Sequence, residues 1–147
     1  MRRELTIATC LLFVAACGGG SQTTRVALSL YGGNISAGQT TCDSNAFGTA
    51  YLSIPGSKVT VTDQAGVIVG STTVPTSGTV TSGTSPLGTP GLMCTFTFDV
   101  TVSDAPTFYT FQIGNMKGPT FSHDEMVANG WSVTLGIEDW ENVAVIE

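Results

Sequence analysis

Basic side chains are scarce in this 147-residue chain: five Lys and Arg stand against eleven Asp and Glu. That balance lacks the positive footprint a polyanion needs, so nucleic acid and anionic headgroups are not expected partners. Histidine is scarcer still, with His123 alone. A zinc or copper site takes three or four His, Cys or carboxylate ligands, and one imidazole does not supply them. Charge of either sign is low, at 11% of residues, against about a quarter in ordinary soluble domains. No apolar run is long enough to cross a bilayer as a helix. The run from Leu5 to Val14 is about ten residues, broken by Thr6 and Thr9.

Thr, Ser and Gly stand where charge is missing, and hydrophobic content is 41%. Many of the apolar residues are β-branched. This is the composition of a secreted β-protein with hydroxyl-bearing outer faces, not of a disordered chain. The length suits one domain.

The first residues read as an export signal. Met1-Arg2-Arg3 is a positive n-region, Leu5 to Val14 the apolar segment, and Ala15-Ala16 the small residues before Cys17. That order fits a lipoprotein signal peptide, with residues 1–16 cleaved and Cys17 lipidated by acyl chains of the palmitate kind. Two chains hold a protein firmly where one holds it weakly. Arg2-Arg3 reads as a plain n-region, with a twin-arginine signal, which the flanking residues fit poorly, as the alternative. Residues 17–24, Cys17 and then Gly, Ser, Gln and Thr, are expected to form a flexible tether before a folded domain at 25–147. The mature chain would keep Arg25, Lys58 and Lys117 against ten carboxylates, a net charge of −7. Of four cysteines, Cys10 would leave with the signal and Cys17 would carry lipid. Cys42 and Cys94 remain, and in an exported domain they are expected to form one disulfide.

From Arg25 on, the hydrophobic period is two. Val26, Leu28 and Leu30 alternate with Ala27, Ser29 and Tyr31. Tyr51, Leu52 and Ile54 suggest a short strand. Val59 to Thr62, Asp63-Gln64-Ala65-Gly66 and Val67 to Val69 predict a hairpin, with Asp opening the turn and Gly closing it. Residues 75–91, rich in Pro, Gly, Ser and Thr, read as a long surface loop, with at most an edge strand at Thr79-Val80-Thr81. Cys94 to Val102 is the strongest strand, with Cys94, Phe96, Phe98, Val100 and Val102 on one face. Phe108 to Ile113 is expected to return beside it. Ser122-His123-Asp124-Glu125 is a capping box opening a short helix near 123–129, with Gly130 to stop it. Trp131, Val133, Leu135 and Ile137 predict an inward-facing strand, and Val143 to Ile146 an edge strand. Together these predict an all-β fold: a two-sheet antiparallel β-sandwich of seven or eight short strands, with a small β-barrel as the alternative.

Some of these pieces resemble a family of small secreted or lipid-anchored actinobacterial proteins. Phe47-Gly48-Thr49-Ala50-Tyr51-Leu52-Ser53-Ile54 before Val59-Thr60-Val61-Thr62-Asp63-Gln64-Ala65-Gly66 is similar to its G-x-x-Y-x-x-I stretch and V-T-V-x-D-x-x-G hairpin. Cys94 to Val100, Phe108-Tyr109, Ser122 to Met126 and Trp131 follow in the family's order. Ser53, where the family often has an acidic residue, and the length of 75–91 depart from it. The resemblance implies fold and compartment and carries no activity.

Chemical motifs are few. Ser122 and His123 are chain neighbours, which does not hold nucleophile and base in line, and no G-x-S-x-G elbow is present. Asp124-Glu125 and Glu138-Asp139-Glu141 offer oxygen ligands without a calcium-loop pattern. Trp140, between Asp139 and Glu141, is the aromatic best placed to contact a ligand, with Asp124 as a further candidate. No catalytic residue, resident metal or cofactor is expected. The chain reads as a non-enzymatic lipoprotein of the bacterial cell envelope, on the extracytoplasmic side. Its expected partners are the membrane through Cys17 and an envelope protein or wall polymer. The alternative is a small-ligand, calcium or glycan binder using the 75–91 loop or the acidic C-terminal cluster.

Overall fold

The structure is a computed structural model and describes residues 19–32, 34–47, 54–84 and 88–136. Within them run β1 (Ser21–Tyr31), β2 (Thr41–Asp43), a 3-10 turn (Ser44–Phe47), β3 (Lys58–Thr62), β4 (Ile68–Thr73) and β5 (Ser77–Thr84). After these come β6 (Pro90–Ser103), β7 (Phe108–Ile113), β8 (Met116–Ser122), α1 (His123–Ala128) and β9 (Ser132–Gly136). They form a β-sandwich of two sheets, one ordered β2-β5-β6-β1-β9 and the other β4-β3-β7-β8. Among the described residues neither sheet closes into a barrel, and the strands number nine where seven or eight were expected.

Period-two alternation decides what is buried. Val26, Leu28 and Leu30 of β1, Phe96, Val100 and Val102 of β6, Val59 and Val61 of β3, and Tyr109, Phe111 and Ile113 of β7 are all sealed between the sheets. Each such side chain contributes about 1.5–3 kcal/mol by leaving water. The outer faces carry more hydroxyls than charges. Ser29, Thr95 and Thr81 link β1, β6 and β5 through side-chain hydrogen bonds of 3.0 and 2.9 Å, and Thr110 meets Thr120 across β7 and β8 at 2.7 Å. Such cross-strand pairs stabilise the sheets beside the Arg25–Asp99 ion pair of β1 and β6, at 3.2 Å, in keeping with the Thr- and Ser-rich composition.

The expected hairpin is β3 and β4. Asp63 Oδ1 accepts from the backbone N–H groups of Ala65 and Val67 at 2.8 Å, and Gly66 closes the turn at φ +78°. The expected disulfide joins Cys42 of β2 to Cys94 of β6, with Cα atoms 5.9 Å apart. It crosses β5 at a glycine: Cys42 is paired with Gly78, and Cys94 with Val80. A Cβ on Gly78 would lie 2.7 Å from the Thr95 carbonyl oxygen and 3.0 Å from Cys94 Sγ, so the bridge requires a residue without one.

The expected fold is corrected at six points. Residues 21–24 of the expected tether belong to β1, because Ser21 to Thr24 pair with Ser103 to Val100 and Thr24 is fully buried. Most of the expected 75–91 loop is strand: β5 and the start of β6 pair from Thr79–Thr95 to Thr84–Pro90. Thr79 to Thr81 lie inside the sheet, between β2 and β6, and not at an edge. Phe108 to Ile113 is not the neighbour of β6; residues 104–107 carry the chain to the other sheet, where β7 pairs with β3 and β8. Met116–Ser122 is a strand that periodicity did not predict. The sandwich is not wholly antiparallel, since β9 lies parallel to β1. The expected strand residues Tyr51 and Leu52, Ile137 and the tail 143–146 lie outside the described residues.

Candidate functional site

A cleft of about 460 Å³ lies at one end of the sandwich. Its walls are the connection Asp104 to Phe108, between β6 and β7, and the start of α1, Ser122 to Asp124. Local sequence builds both walls. Asp104-Ala105-Pro106 ends β6, and Pro106 withholds a donor from further pairing. Ser122 caps α1: its hydroxyl oxygen accepts from the Glu125 N–H at 3.2 Å, and Glu125 Oε2 accepts from the Ser122 N–H at 2.7 Å. The walls are tied together by the His123 N–H, which donates to the Thr107 carbonyl at 2.8 Å.

Behind the cleft stands an aromatic cluster. Trp131 meets Tyr109 and His123 edge-on, with centroids 5.7 Å apart in each case. Trp131 is held in the left-handed region at φ 55°, a strained conformation for a non-glycine residue. Its N–H donates to Met126 and its carbonyl accepts from Arg25, both at 2.8 Å, so the strained residue clasps the end of α1 to β1. Tyr109 is fully buried, and its hydroxyl donates to the Ser103 carbonyl at 3.0 Å. Burial, and then the nearby Asp104 carboxylate, push the phenol above its ordinary value and keep it neutral.

The chemistry available here is limited. The Ser122 hydroxyl donates to Glu125 Oε2 at 2.7 Å, so it is committed to the helix cap and not to an imidazole. His123 Nδ1 lies 3.8 Å from Asp124 Oδ1, beyond a direct hydrogen bond, and that carboxylate is fully solvated. Cap hydrogen bonds, from the Ser122 backbone N–H first and then its hydroxyl, hold Glu125 below the ordinary carboxylate range. Among the described residues, no three His, Cys, Asp or Glu side chains gather closely enough to share a metal ion.

Of the residues singled out in the sequence, Cys42 and Cys94 are brought together, and Asp124 lines the cleft beside His123. Cys17, Asp139, Trp140 and Glu141 lie outside the described residues. The ligand loop expected at 75–91 is largely strand. Asp104 and Phe108 are the cleft residues that sequence reasoning passed over. A signal for Phe108 exists: with Tyr109, Phe111 and Ile113 inward, the same alternation turns Phe108 outward.

Compared with family models, with curated proteins and with solved structures, the chain matches none of them.

Proposed function

We propose that this chain is an envelope lipoprotein: a disulfide-braced β-sandwich, anchored through Cys17, that binds and does not catalyse. The observation that carries this reading is the Cys42–Cys94 bridge, set in the core of a chain that opens with an export-type segment. Disulfides persist in oxidising, extracytoplasmic compartments. The binding role is supported by a cleft in which the Ser122 hydroxyl is committed to Glu125 and does not serve the neighbouring His123. The partner in this reading is an envelope protein or wall polymer.

Two measurements test it. Metabolic labelling with a palmitate analogue should tag the chain, and Cys17→Ser should abolish the tag and shift the protein from the membrane fraction to the soluble one. An untagged, soluble wild-type chain ends the anchor reading. Cross-linking in intact cells should then capture a defined envelope partner or polymer; a chain that turns over a substrate in place of capturing a partner ends the binding reading.

A further inference from the structure

The large hydrophobic residues that remain exposed among the described residues are Val67, Ile68, Phe108 and Val127, each 47–58% accessible. They come from three separate stretches of sequence, yet they share one end of the sandwich. Phe108 opens β7 at the foot of the 104–107 connection. Gln64, in the turn just before Val67 and Ile68, accepts from the Thr107 N–H at 3.3 Å, which seats that hairpin tip beside the connection. Ile68 is paired with Thr62, which is paired with Thr110, two residues from Phe108. Val127 lies on α1, whose first N–H bonds Thr107.

The anchored end of the chain arrives at the same place. The Gly20 carbonyl accepts from the Asp104 N–H at 2.9 Å, and Ser21 pairs with Ser103. Gly19, the first described residue, already abuts Ala105 and Asp104: a Cβ on it would stand 3.0 Å from the Ala105 Cβ. Cys17 is only two peptide steps earlier, a reach of at most about 7 Å. With so little free chain, a lipid on Cys17 leaves this end of the domain no room to stand away from the bilayer.

Resting on the lipoprotein reading above, we propose that Val67, Ile68, Phe108 and Val127 form a membrane-seating surface. It dips into the headgroup layer of the bilayer that holds the Cys17 lipid and fixes the sandwich upright. The charge pattern selects the lipid. Asp63, Asp104 and Asp124 sit at this end, whereas Lys58 and Lys117 lie at the opposite end, beside the Gly114-Asn115 turn. An acidic rim repels anionic headgroups and suits zwitterionic phospholipids, whose outermost charge is an ammonium. The acyl chains supply the holding energy and the four side chains supply orientation.

The test uses the full lipidated protein in phosphatidylcholine vesicles that contain a phospholipid with a photoreactive group near the headgroup. Labelled peptides are mapped by mass spectrometry, with the mass at Cys17 read in the same experiment. Label concentrated at 67–68, 108 and 127, and missing from 114–117, is the expected result. A second sample carries Val67→Ser, Ile68→Ser, Phe108→Ser and Val127→Ser together, with the intact disulfide and near-ultraviolet circular dichroism as checks of folding. It should keep its anchor and lose the label at these sites. Lipid on Cys17 with the domain unlabelled, or labelled evenly, overturns the seating surface and leaves the lipoprotein reading standing. The same result with these four residues cross-linked to a protein in cells assigns the surface to that partner instead. A Cys17 without lipid overturns both readings.

Discussion

Thr24 is the residue most at odds with its surroundings. It sits in β1 with no exposure, and its hydroxyl has no hydrogen-bond partner. An orphaned buried hydroxyl costs about 1–3 kcal/mol. Thr24→Val keeps the shape and removes the polar atom, so the variant is expected to be more stable by roughly that amount, seen as a higher denaturant midpoint at unchanged slope. A lower midpoint would mean that the hydroxyl has a partner after all. Gly78 makes the opposite case. Its lack of a side chain lets the disulfide cross β5, and Gly78→Val is expected to hinder closure of that bridge, read as a free-thiol titre after refolding. In the sequence, Gly78 looked like one more loop glycine, because closeness to Thr95 and Cys94 is a property of the assembled sheet and not of the local pattern.

At the scale of elements, α1 offers the cleanest test. Ser122→Ala removes the cap hydroxyl and should cost about 1 kcal/mol. The carboxylate of Glu125 completes the same cap, and its folded value lies below the ordinary 4.5. Its support is therefore present in full above the ordinary value and fades as pH falls through the lowered one. Melting temperature should fall over that acid range in the wild type, and Glu125→Gln should flatten that part of the profile. The capping box was legible because its signal is local: four residues whose side chains serve their own backbone. The β3–β4 hairpin was legible for the same reason, through Asp63 and Gly66. Pairing between distant strands was not. Alternation in Phe108 to Ile113 tells which side chains face inward but not which sheet receives them, and the crossing at 104–107 sent β7 to the sheet that does not contain β6. Strand β5 was hidden because none of its side chains is fully buried, so it has no apolar period to read. Strand β8 was hidden by Gly118 and Pro119, which an edge strand tolerates. The cleft was legible only in part, since Asp124 and His123 share a helix start but meet Asp104 through the fold.

For the whole molecule, the Cys42–Cys94 bridge is the main covalent constraint. It spans 52 positions, and closing a loop of that size restricts the unfolded chain by about 4 kcal/mol in the chain-entropy model. Reduction, or Cys42→Ala with Cys94→Ala, is expected to lower stability by up to that amount in chemical denaturation at neutral pH. A loss well under 1 kcal/mol would show that the reduced chain keeps its compact unfolded state. The strand order carries a consequence for biogenesis. β1, the first described strand in chain order, is an inner strand of its sheet, held between β6 and the last described strand, β9. Neither neighbour exists when β1 appears. The opening strand therefore has no partner in its sheet until Pro90–Ser103 has been made, and its second edge is covered only by Ser132–Gly136. The strand order thus works as a timer: the five-stranded sheet is complete only after nearly all of the described chain exists.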